Sequence, residues 1–215
     1  FEKATTAELR ASKDPLIRWA LAIRPLVQEL EARDQKLQGK MLLLKKRYFD
    51  ALREHEGKEI APDANSTLRI TYGTVRGYKP KPDASVVRPF TLLSEMVAKS
   101  TGKEPFDAPK NVLEAFRAHK VQGYTDAQTQ DEVPVDFLAD LHITGGNSGS
   151  ATLNAKGEIT GLVFDGNYEA LASDWLFKPE TTRSIHVDSR YVLWLLDAVY
   201  GQKELLKELG VAPRF

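Results

Sequence analysis

The residues most able to do chemistry lie together at Thr144-Gly145-Gly146-Asn147-Ser148-Gly149-Ser150. Glycines on both sides of Ser148 permit backbone angles that expose its hydroxyl and turn nearby N–H groups inward. Such N–H groups can form an oxyanion hole, which typically contributes a few kcal/mol of transition-state stabilisation. A glycine-rich phosphate cradle would need a helix after the loop and a lysine close by. Here a β-hairpin pattern follows, and the next lysine is Lys156. An ordinary Gly/Asn/Ser turn is the third reading, and the loop alone does not separate it from a serine nucleophile.

Other chemistries are narrowed by composition. The chain has no cysteine, so disulfide scaffolds, thiolate metal sites and a cysteine nucleophile are excluded. No His-Glu-x-x-His run exists and the four histidines are isolated, so neither a metal nor another cofactor is expected. Thirty basic and thirty acidic residues leave zero formal net charge, which argues against a nucleic-acid partner. No apolar run reaches the ~20 residues of a membrane span. His55 and His119 read as helix-surface residues, and His186 alternates with Ile185 and Val187 on a strand. His142 stands six positions before Ser148, on the strand that leads into its loop. A triad base is set by geometry and comes from another part of the fold, so none of the four is assigned that role.

The elements that must position the loop read as follows. Asp14-Pro15 is a helix start, and Leu16, Trp19, Ile23, Leu26, Val27 and Leu30 recur at helical spacing. Pro25 is expected to kink or divide this helix, giving a helical pair over residues 14–56 with one buried face. Turn chemistry follows at residues 61–66, and residues 67–75 alternate with period two and read as a strand. Residues 91–100 and 110–119 read as short surface helices, and 133–138 as a strand. Residues 151–154 and 158–164 form a hairpin around Asn154-Ala155-Lys156-Gly157. A short strand at 184–188, a well-buried helix at 191–200 and a last helix ending at Gly210 complete the chain. The expected class is α+β: a helical segment (1–57), then an antiparallel β unit with short surface helices (58–215).

Gly146-Asn147-Ser148-Gly149-Ser150, running straight into a hairpin, resembles the nucleophile loop of chymotrypsin-fold serine peptidases. Four further runs narrow the resemblance: Ile143 through Ser150, Leu153 through Ile159, Gly161 through Asn167, and Val187-Asp188-Ser189-Arg190-Tyr191-Val192. With Pro62 through Arg69 and Thr71-Tyr72-Gly73 upstream, they are similar to the C-terminal portion of the bacterial dipeptidyl-peptidase 7/11 family. The resemblance spans roughly Pro62 to Leu209, and the helices before it match the helical domain such enzymes insert. Ala151 stands where the family usually has proline, and His142 where an acidic residue is expected.

The resemblance implies a chymotrypsin-like half-barrel and a serine exopeptidase that releases dipeptides from oligopeptides with a free N-terminus, in the periplasm or at the cell surface. It implies Ser148 as nucleophile, the N–H groups of Gly146 and Ser148 as oxyanion hole, and Asp165 as partner of the substrate α-ammonium. Gly166 falls at the position that sets first-pocket specificity. Glycine there implies a preference for apolar side chains, whereas arginine selects Asp or Glu. The family's catalytic His and Asp lie in an N-terminal half that this sequence, which begins at Phe1, does not include. The chain is therefore expected to be a fragment, inactive by itself, whose partners are a peptide and the missing half. A homodimer is left open. The rival reading is a non-catalytic peptide-binding module with a vestigial serine loop.

Overall fold

A computed structural model describes residues 4–57 and 67–215. The turn read at 61–66, and the part of the upstream motif before Thr67, lie outside the described residues. The chain divides into two compact units, Phe1–Ala61 and Pro62–Phe215.

The first unit is helical. Thr5 and Glu8 form a capping box that starts helix α1 (Thr6–Ala11). Asp14 Oδ1 accepts from the N–H groups of Leu16 and Ile17 and starts α2 (Pro15–Glu56), which ends at Gly57 with φ +65°. Helix α2 runs 42 residues without a break, so the expected helical pair is one continuous helix. Proline removes a single i→i−4 bond, and here the turns on either side of Pro25 carry the helix through. No residue of α2 is buried, and Leu16, Trp19, Leu26, Leu30 and Leu42 of its apolar stripe are exposed.

The second unit is built on an open five-stranded antiparallel sheet. Its strands are β1 (Phe90–Leu92), β2 (Pro134–Ala139), β3 (Ala151–Leu153), β4 (Ile159–Gly166) and β5 (Ser184–Asp188), in the spatial order β1-β2-β5-β4-β3. The mixed α+β class holds. Residues 67–75 do not form the expected strand: only Val75 bridges, to Ala139, and Leu68, Ile70 and Tyr72 stand almost fully in solvent. Alternation describes side chains, but a strand also needs a neighbouring backbone to pair with. The end of this segment is held by a carboxylate instead, with Thr74 N donating to Asp140 Oδ1 at 2.6 Å.

Helices α3 (Leu93–Ala98), α4 (Lys110–Arg117) and α5 (Ser189–Trp194) close over one part of the sheet. The first two are more than surface elements, because Leu93, Val112 and Ala115 join Tyr124, Val133, Val135, Trp194 and Ala198 in the core. Helix α5 continues into a π-helical turn, Leu195–Val199, and α6 (Lys203–Glu208) follows. At that turn the buried Asp197 Oδ2 accepts from Tyr124 Oη at 2.8 Å and from Arg214 N at 2.6 Å.

Elsewhere the sheet is held by a row of cross-strand partners: Phe90 opposite Phe137, Phe137 opposite His186, and His186 opposite Val163. The Phe137 and His186 rings stack at 4.7 Å and are almost parallel. Gly161 lets this happen, since a Cβ there would meet Phe137 Cε1 at 2.7 Å and Val187 O at 2.5 Å. His186 is buried, with Nδ1 2.6 Å from Thr152 Oγ1 and Nε2 2.7 Å from Ser184 Oγ. It is thus a satisfied structural histidine.

Burial pushes the His186 imidazole down to about 4, from an ordinary 6.5. Burial, then the nearby Asp188 charge, pushes the Asp136 carboxyl up to about 6, from 3.8. The two have opposite signs in the pH dependence of folding. Between 6.5 and 4 the unfolded chain binds more protons at His186, so stability falls on acidification. Between 6 and 3.8 the folded chain binds more at Asp136, so stability rises on acidification. Replacing Asp136 by Asn should therefore stabilise the protein by about 1–2 kcal/mol at pH 8. It should also make the loss of stability between pH 6.5 and 4 steeper than in wild type. Denaturant unfolding at pH 8, 6.5 and 4 measures both, and an unchanged pH 8 midpoint would refute the Asp136 assignment.

Candidate functional site

The serine loop leaves β2 and returns into β3, and β4 holds it in place. Gly149 N donates to Val163 O at 2.7 Å, and Val163 N donates to Ser150 O at 3.0 Å. Within the loop, Thr144 N donates to Asn147 Oδ1 at 3.0 Å. Asn147 N and Ser150 N close turns onto Thr144 O and Asn147 O at 3.2 and 2.9 Å. Gly146 (φ +100°) and Gly149 (φ +82°) occupy the left-handed region, where a side chain is disfavoured. Ser148 between them is exposed. Among the described residues, the N–H groups of Gly146 and Ser148 donate no hydrogen bond within the protein, and Ser148 Oγ has no partner.

Beyond Val163 strand β4 carries a bulge: Val163 pairs with His186, but the next residue of β5, Ile185, pairs with Asp165. This extra residue brings Asp165 and Gly166 beside the serine loop. Ser148, Asp165 and Gly166 line one open cavity of about 230 Å³, bounded by Val163 and Phe164 on β4 and by residues following it. The four residues singled out in the sequence are thus brought together, with Gly146 in the loop beside the lining residues Gly145 and Asn147. Asp165 is exposed. Its Oδ1 accepts from Gly166 N at 2.8 Å, and Oδ2 has no partner among the described residues. Of the lining residues Asp165 and Asp174 are acidic and none is basic. The cavity therefore suits a cation better than an anion.

Gly166 does not need its freedom for an unusual φ. A Cβ at this position would stand 2.8 Å from Ala170 Cβ, so glycine is required by close approach. Ala170 belongs to a short 3₁₀ turn, Tyr168–Ala170, that forms the outer wall. The wall is anchored by residues that the sequence reading did not assign. Asn167 is buried, its Oδ1 accepts from Arg183 N at 2.9 Å, and its Nδ2 donates to Thr181 O at 2.8 Å. Arg183 is buried too, and its guanidinium donates only to main-chain carbonyls, those of Gly77, Pro179, Glu180 and Thr182. No local pattern marks these residues, because their partners lie up to 106 positions away.

No histidine supplies a base to Ser148. His142 packs its ring on Phe177 at 4.7 Å, and His186 is enclosed in the sheet. Among the described residues, no group of three or more His, Asp or Glu is arranged to hold a metal ion. No helix there is long and apolar enough to cross a membrane.

Comparison with known proteins identifies the family of the chain. Residues 1–211 match the family described as Peptidase S46. An Asp/Glu-specific dipeptidyl-peptidase of Shewanella putrefaciens is 41% identical over 97% of the chain, which corresponds to 31% of that relative. Dipeptidyl-peptidase 7 of Phocaeicola vulgatus is 37% identical over 93% of the chain and 28% of its own length. The crystal structure of Porphyromonas endodontalis DPP11 in complex with dipeptide Arg-Asp superimposes with a TM-score of 0.78 at 30% identity. That match covers 99% of this chain and 30% of the other. The chain spans about three tenths of the length of these relatives. It belongs to the peptidase S46 family, whose members here are dipeptide-releasing peptidases.

Proposed function

We propose that the chain is the C-terminal part of a serine dipeptidyl-peptidase of chymotrypsin-like lineage, working in the periplasm or at the cell surface. The observation that carries this reading is one cavity shared by Ser148, Asp165 and Gly166, next to two undonated N–H groups. In this reading Ser148 Oγ attacks the carbonyl carbon of the second peptide unit. The N–H groups of Gly146 and Ser148 bind the resulting oxyanion. Asp165 Oδ2 pairs with the substrate α-ammonium, which an internal peptide bond lacks. Gly166 opens the first pocket to an apolar side chain. The general base and its carboxylate partner come from a segment outside this sequence.

The relatives divide between acidic and unspecified preference by name, so likeness alone does not decide selectivity. Gly166 supports the apolar reading, since it adds space and no charge, and burial there is worth roughly 25 cal/mol per Å². A non-catalytic peptide-binding role remains the rival, and it differs in having no serine-dependent turnover.

Three outcomes test the reading. The 215-residue chain alone should not hydrolyse dipeptidyl substrates, because a serine without a base is a poor nucleophile. The full-length polypeptide should do so, and Ser148→Ala should reduce its rate by several orders of magnitude. Robust serine-dependent turnover by the short chain, or none by the long one, would overturn the assignment.

In the full-length polypeptide Asp165→Ala should raise KM for free-amine substrates, by an amount equivalent to roughly 2–5 kcal/mol. N-acetylated substrates should be poor for both proteins. An unchanged KM on free-amine substrates would remove the ammonium role.

Gly166→Arg needs room, so it is best made together with Ala170→Gly, which removes the methyl 2.8 Å from the new Cβ. The double variant should lose efficiency on Leu, Met or Phe substrates and gain it on Asp or Glu substrates. The acidic gain should shrink as salt rises. The ratio of the two kcat/KM values, compared with Ala170→Gly alone, reads the effect. An unchanged ratio would mean that Gly166 does not face the first pocket.

A further inference from the structure

The wall opposite Gly166 is a single short turn, and a turn of three residues has little rigidity of its own. Its internal bonds are Ala170 N to Asn167 O and Ser173 N to Ala170 O, both 2.9 Å, and Leu171 N to Tyr168 O at 3.3 Å. Asn167 fixes its start to Arg183 and Thr181, and Glu169 adds a second tie to a more distant segment. One oxygen of that carboxylate, Oε2, accepts from Asn167 Nδ2 at 2.8 Å and from Tyr78 Oη at 3.0 Å. Tyr78 lies 91 positions earlier, in a segment closed by reciprocal backbone bonds with Val87 at 3.1 and 2.9 Å. Arg183 reinforces that segment: Nε and Nη2 donate to Gly77 O, and the guanidinium carbon lies 5.8 Å from the Tyr78 ring centre. One carboxylate oxygen therefore ties the pocket turn to a distant, separately braced part of the fold. Neither Glu169 nor Tyr78 lines the cavity.

We infer that Glu169 and Tyr78 are positioning residues for first-pocket selectivity. By holding Ala170 in close approach to Gly166 they fix the width of the pocket and thus the size of side chain it accepts. The inference rests on the proposed role of the Ser148 cavity. Its physical basis is that a hydrogen bond to a charged acceptor holds a turn more firmly than a neutral one, and its loss leaves the turn free to move outward.

Tyr78→Phe tests this, because it deletes the Oη donor and keeps the ring over Arg183. In the full-length polypeptide the kcat/KM ratio for Phe over Ala at the first-pocket position should rise by about 5- to 10-fold. The change should appear mainly in KM. The rate of covalent labelling of Ser148 by a small phosphonylating reagent, which does not use the pocket, should stay as in wild type. Adding Glu169→Gln to Tyr78→Phe should change the ratio little further, since the two residues act through one bond. In the full-length polypeptide, the Ala170 and Ser173 amides should exchange hydrogen faster in Tyr78→Phe than in wild type.

Unchanged amide exchange would overturn the tie itself. Faster exchange with an unchanged Phe/Ala ratio would overturn its role in selectivity, as would an equal loss on every substrate together with slower serine labelling. A wild-type full-length polypeptide that releases no dipeptide would instead strike at the peptidase reading, and the selectivity inference would fall with it. The exchange measurement does not depend on activity and keeps the two failures apart.

Discussion

The Val163 backbone is the constraint on which the site depends. Its carbonyl accepts from Gly149 and its N–H donates to Ser150 O, so one residue of β4 grips the loop directly after Ser148 through both of its backbone groups. Because that grip is made by backbone, it sets the register between the serine loop and everything downstream on β4. The bulge after Val163 then re-aims the strand, and Asp165 and Gly166 arrive at the cavity that Ser148 lines. A slip of one residue would send these side chains to the opposite face. The sheet protects the register from behind, through the stacked Phe137 and His186 rings and the two hydroxyls that satisfy the imidazole.

The same arrangement shows that neither His186 nor His142 serves as a base for the serine loop. His186 is spent on structure: enclosed, stacked and hydrogen-bonded at both nitrogens, it is held neutral far below its ordinary range. His142 is occupied against Phe177. What the described residues present is an exposed hydroxyl, undonated N–H groups and a carboxylate, which in the proposed reading are the half of an acyl-transfer site made from backbone and small residues. Family membership and the limited share of the relatives that the chain covers are consistent with a base carried elsewhere in the polypeptide.

In the proposed reading, selectivity has a different physical origin from reactivity. Reactivity is set on β4 and its loop by short-range backbone bonds. Side-chain bonds that cross the unit, from Tyr78 and Arg183, hold the turn after Gly166, and in that reading they set the width of the pocket. A glycine at position 166 is then meaningful twice. It adds no charge of its own to the cavity, and it lets Ala170 come within a distance that no Cβ would tolerate.

Features governed by neighbours in the chain were legible in the sequence. Asp14-Pro15 and Gly57 mark the ends of α2, Asn154 through Gly157 turn the β3–β4 hairpin, and the glycines around Ser148 forecast an exposed hydroxyl, because caps, turns and left-handed angles are local properties. The motif runs that hold Ser148, Asp165 and Gly166 singled out residues that line one cavity. Tertiary structure decided the rest. Pro25 could end a helix or be passed over, and the local pattern alone did not say which. Residues 67–75 have the composition of a strand, yet pairing requires a second backbone, and only Val75 finds one. The tie from Glu169 to Tyr78, and the burial of Asn167 and Arg183, join positions far apart in sequence, and nothing in the amino-acid order signals which distant partner a polar side chain will meet.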